Sequence, residues 1–107
     1  MKHILQFWAF AEKPESLAPV KEAIVPIFAN AEAEEILVMD EPGGGALFSG
    51  RWNLAGTGEM LHCWSEVQST MRGGDFPGVG AEMRIHQCRG GDCRDETYRE
   101  WEMPPHA

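Results

Sequence analysis

Near the start of the chain, His3 to Phe10 set Ile4, Gln6, Trp8 and Phe10 on one side of an extended strand and His3, Leu5, Phe7 and Ala9 on the other. Both sides are largely apolar. A strand with one wet face alternates more cleanly, so this segment is expected in the middle of a sheet, covered on both faces. The whole chain has 107 residues, enough for one core and too few for two. One domain over residues 1–107 is therefore expected, with a core from 1 to 93 and a tail from 94 to 107.

The following residues supply partners for that strand. Pro14, Glu15 and Ser16 open a helix with Ser16 as N-cap and Pro19 in its first turn. Leu17, Val20, Ile24, Ile27, Phe28 and Ala31 recur every three or four residues, which predicts one helix to about Ala33, bent at Pro26. Ile36 to Met39 and Ala46 to Asn53 read as two strands joined by the turn Asp40-Glu41-Pro42-Gly43-Gly44-Gly45, with Phe48 and Trp52 on one side of the second.

Glu59 to Met71 carries two periods at once. Met60, His62 and Trp64 alternate, while Leu61, Trp64, Val67 and Met71 keep helical spacing; the reading is a strand over 59–65, then helix or irregular chain over 66–72. Glu82 to Cys88 alternates strictly as a last long strand, and Asp95 can cap a short terminal helix bearing Tyr98 and Trp101.

Charge narrows the partners. Nine Lys and Arg stand against 17 Asp and Glu, a net charge of −8. The three lysines are scattered and the six arginines are spread from Arg51 to Arg99, two of them directly beside acids as in Arg94-Asp95-Glu96, so the chain has no basic face for a phosphate backbone or an anionic membrane. Nucleic acid and membrane are both excluded as expected partners. The apolar opening is too short to span a bilayer and lacks the pattern of a signal peptide. With three cysteines, an odd set, the chain is expected in the cytoplasm with reduced thiols. GxxxxGK, GxGxxG and HExxH motifs are all absent, and no cofactor is expected.

Strand, helix, hairpin, mixed segment and strand predict an α+β fold of ferredoxin-like kind, an antiparallel sheet with helices on one face. Trp8, Phe10, Phe48 and Trp52 then need cover on the other face, and a second copy packed face to face supplies it. Leu47-Phe48-Ser49-Gly50-Arg51-Trp52, followed by Gly56-Thr57-Gly58, resembles the hairpin of an uncharacterised subgroup of the dimeric α+β barrel superfamily, which includes small monooxygenases and muconolactone isomerases. The resemblance implies a homodimeric barrel and transfers no catalytic residue. It covers about the first 88 residues by element order, and the chain departs from it in a short, glycine-rich second helical region. Gly50-Arg51-Trp52 also resembles the Gly-x-Trp strand of lipocalins, but too few residues follow it for seven more strands.

Several residue groups carry candidate chemistry. His62 (with Glu66) and His86 (with Glu82 and Arg84) are candidate acid–base groups; against this stands a solvated polar face on an edge strand. Trp8, Arg51, Trp52 and Trp64 are candidate ligand-binding residues, the arginine for a carboxylate and the indoles for a planar ring; against this stands ordinary core packing. His86, Cys88 and Cys93 with His62-Cys63 offer nitrogen and sulfur donors, but Cys-x4-Cys around Gly90-Gly91 also suits a plain hairpin turn, with or without a disulfide, and no metal site is assigned. Glu32, Glu34, Glu35, Asp40 and Glu41 read as a solvated helix end rather than a cation site.

Three functions remain open. The first is a homodimer that binds, and acts without a cofactor on, a small aromatic or carboxylated metabolite. The second is a non-catalytic interaction or regulatory module whose tail docks on a partner protomer or another protein. The third is a Cys/His metal or redox module.

Overall fold

The computed structural model describes residues 2–89 and 92–98. Its elements run β1 (Lys2–Ala11), α1 (Ala18–Ile24), β2 (Glu32–Asp40), β3 (Ala46–Asn53), α2 (Thr57–Gly73), β4 (Gly80–Arg89) and β5 (Asp92–Tyr98). The strands lie in the order β2-β3-β1-β4-β5, every neighbouring pair antiparallel. In the first four strands of that row two β–α–β units are interleaved: β3 sits between β1 and β2, and β1 between β3 and β4. This is the α+β arrangement of ferredoxin-like folds, extended at one edge by β5.

Register decides which side chains meet the helices. Leu5, Phe7 and Ala9 of β1 lie level with Trp52, Gly50 and Phe48 of β3, and with Ile85, Met83 and Ala81 of β4. These residues share one face. Opposite them come Leu17, Val20, Ile24 and Phe28 from the first helical segment and Met60, Cys63, Val67 and Met71 from α2, all buried. The Phe28 and Trp52 rings stack 3.9 Å apart and nearly parallel. At roughly 1.5–3 kcal/mol for each large apolar side chain removed from water, this layer dominates the stability of the fold.

The first helical segment is bent, as its proline requires. Pro26 has no N–H to give to the carbonyl of Glu22, and Val25–Phe28 tighten into a 3-10 turn after α1. It ends at Phe28 rather than near Ala33, and Glu32–Asp40 is one long strand. Ser16 lies in a separate 3-10 turn, Pro14–Ser16, and the N-cap of α1 is Leu17 without a side-chain bond.

Two expected elements change type. Residues 59–65 are not a strand, since Thr57–Gly73 forms a single helix with Met60, Cys63, Val67 and Met71 inward at spacings of three and four. Glu59 helps to start it, its Oε2 accepting the N–H of Ala55 at 3.1 Å. Asp95 does not begin a helix either: β5 pairs with β4 from Arg89↔Asp92 to Met83↔Tyr98, so residues 94–98 extend the sheet. Trp101 and the rest of residues 99–107 lie outside the described residues.

The expected four-aromatic face also divides. Trp8 and Phe10 alternate with Phe7 and Ala9 and point away from the helices, whereas Phe48 and Trp52 are sealed against them, Trp52 at 1% exposure. Among the described residues, no helix is long and apolar enough to cross a membrane.

Candidate functional site

The helix-free face of the sheet collects most of the chemistry left accessible. From β1 it receives Gln6, Trp8 and Phe10, from β3 Leu47 and Arg51, from β2 Leu37 and Met39, and from β4 Glu82, Arg84, His86 and Cys88. Phe10 and Met39 are 42% and 46% exposed. Ionic groups border this apolar row. The guanidinium carbon of Arg84 stands 5.8 Å from the centre of the Trp8 ring, within cation–π range.

Arg51 is engaged across the next strand pair. Its Nε contacts Glu34 Oε2 at 2.8 Å, and Glu34 Oε1 accepts a long bond from Asn53 Nδ2 at 3.4 Å. The acidic residues of β2 are thus spread along an edge strand and are not gathered around one point.

At the far end of β4, Cys88 lies directly across from Cys93 and the two form a disulfide. His86, two residues back on the same face, has its Nε2 3.1 Å from Cys88 Sγ. The three donor atoms lie within 4.8 Å of one another, the only group of potential metal-ligating side chains found among the described residues. Joined to each other, the sulfurs offer no thiolate to a cation, so the arrangement is a disulfide beside a histidine. The expectation of reduced thiols holds only for Cys63, which is free.

The remaining sequence candidates lie on the other side of the sheet. His62 is exposed on α2, where Glu66 shares its surface one turn along. Cys63, its neighbour, turns inward with its Sγ 3.8 Å from the carbonyl of Ile27, and burial, helped by Glu59 and Glu66, pushes its thiol pKa up. Trp64 is half-buried against the core. His62 and His86 are therefore separated by the sheet and cannot act on one substrate atom together. The four proposed ligand contacts divide as well: Trp8 and Arg51 share the open face, while Trp52 and Trp64 belong to the helix layer.

Sequence reasoning passed over His3. It is 3% exposed, its Nδ1 is 3.4 Å from Gln87 Nε2, and its Nε2 has no hydrogen-bond partner among the described residues. A second feature it missed is an open cleft at the end of the sheet, lined by Phe10, Glu12, Glu41, Gly44, Gly45 and Gly78. The hairpin there closes on itself, Glu41 N–H donating to Gly45 O and Gly44 N–H to Glu41 O. Gly44 and Gly45 both adopt positive φ, which explains the glycines without invoking a ligand.

Scans against protein-family models, curated proteins and solved structures found no match.

Proposed function

We propose that the protein is a homodimer in which two open sheet faces pack together as a dimeric α+β barrel, and that it binds a small aromatic or carboxylated metabolite there without a cofactor. The observation that carries this reading is the pair Trp8–Arg84 within an apolar row spanning three strands. A planar carboxylate matches both halves of the pair, its ring against the indole and its charge on the guanidinium. Arg51 and Arg84 on the face, with Glu82 and the β2 acids, supply both signs, so a two-fold copy can set opposite charges against each other despite the net −8.

The β2 edge of the sheet is guarded against addition of a partner strand. On β2, Glu32, Glu34, Glu35 and Asp40 put charge along the free edge, a common defence against strand addition. The reading assigns the chain to the cytoplasm, where Cys63 stays a thiol and a disulfide such as Cys88–Cys93 is open to exchange.

Light scattering coupled to size exclusion tests the dimer: twice 11.9 kDa is expected, and a clean monomer at micromolar concentration overturns it. Binding is tested with sodium benzoate as probe, followed by tryptophan fluorescence. Saturable quenching in the native chain that is lost in Arg84→Ala supports the site; no response to millimolar benzoate removes it.

A further inference from the structure

Cys88 and Cys93 are chemically unequal. Cys93 is exposed on the outermost strand, while Cys88 is half-buried on β4 and has the imidazole of His86 3.1 Å from its sulfur. A disulfide sulfur carries no hydrogen, so in this contact His86 Nε2–H must be the donor and Cys88 Sγ the acceptor. Thiol–disulfide exchange depends on which sulfur can be reached and on how well the other leaves as a thiolate. Here access favours attack at Cys93 and the hydrogen bond favours departure of Cys88.

We propose that Cys88–Cys93 is an exchange site of fixed polarity for low-molecular-weight thiols: an incoming thiolate attacks Cys93 Sγ, and Cys88 leaves as a thiolate held by His86. In the first step a bond forms between the external sulfur and Cys93 Sγ while the Cys88–Cys93 bond breaks, its electron pair passing to Cys88. A second thiolate then attacks the external sulfur of the mixed disulfide and releases Cys93. The two external thiols are oxidised to one disulfide, the protein disulfide is reduced, and their two protons end on the cysteines. Because β5 is an edge strand, Cys93 stays at the rim of the open face, and the inference does not depend on dimerisation.

The test uses the full chain with glutathione in excess, acid quenching, alkylation of free thiols and peptide mass mapping. Glutathione on Cys93 with a free thiol at Cys88 is the expected early product. Glutathione mainly on Cys88, equal labelling of both, or a bond that survives in the folded protein overturns the proposal. His86→Ala should slow the first step about tenfold, the scale of one hydrogen bond to a developing thiolate, and His86→Gln, which keeps a donor, should recover part of that rate. Unchanged circular dichroism shows that both variants fold; an unaltered rate in His86→Ala, or no recovery in His86→Gln, overturns the role of His86. If His86→Ala fails to fold, the labelling pattern of the unsubstituted chain still decides the polarity.

Discussion

The indole of Trp52 lies over the backbone of Gly50, two residues earlier on the same face of β3. A Cβ built on Gly50 would overlap Trp52 Cη2 and stand 2.7 Å from its Cζ3. The backbone of Gly50 is ordinary strand, so its glycine answers a packing need and not a conformational one. Trp52 cannot move aside freely, because Phe28 is stacked on it at 3.9 Å.

Gly50→Ala is therefore expected to destabilise the fold by about 1–3 kcal/mol, the usual range for overpacking a filled core. Urea denaturation followed by tryptophan fluorescence checks it. A midpoint unchanged from that of the parent chain would show that the ring shifts at little cost.

Phe10→Glu addresses the open face. Phe10 is 42% exposed in the single chain, so its replacement should change the stability of an isolated protomer by only about 0.5 kcal/mol. In a face-to-face dimer the same change puts a carboxylate into the buried interface. The expected result is a shift to monomer by light scattering with an unaltered circular dichroism spectrum.

Cys63 links the helix layer to pH. Its folded pKa is raised by burial and by Glu59 and Glu66 above the ordinary 9.0, so the folded state holds the thiol proton more tightly than the unfolded state does. This contribution to stability is complete below pH 9 and is lost as pH rises through the folded pKa. Chemical denaturation from pH 8 to 11 should show the parent chain losing more stability than Cys63→Ala. In the native protein at pH 7.5, iodoacetamide should leave Cys63 unmodified until denaturant is added.

The Arg51–Glu34 pair is a case where a short distance promises little. Its side chains are 40% and 35% exposed, and ion pairs so open to water contribute roughly 0–1 kcal/mol. A double-mutant cycle with Arg51→Ala and Glu34→Ala should give a coupling under about 1 kcal/mol, smaller still at 1 M salt. A larger coupling would make the pair a structural clamp between β2 and β3.

Elements whose pattern is local are legible in the residues alone. β1, β3 and β4 announce themselves by alternation within eight to ten residues, the proline bend by the missing N–H of Pro26, and the β2–β3 turn by three consecutive glycines. The order of those elements was enough to predict a ferredoxin-like sheet. What depends on partners distant in sequence is settled by packing. Residues 59–71 fit two periods, and the helix prevails because it buries Met60, Cys63, Val67 and Met71 together on the sheet. Which face Trp52 occupies follows from its register with Leu5, and that register separates it from Trp8. His62 and His86 fall on opposite sides of the sheet for the same reason. Cys88 meets Cys93 because β5 continues the sheet where local signals suggested a helix. Periodicity tells which residues share a side of their own element; only the pairing of strands and the docking of helices tells which sides face each other.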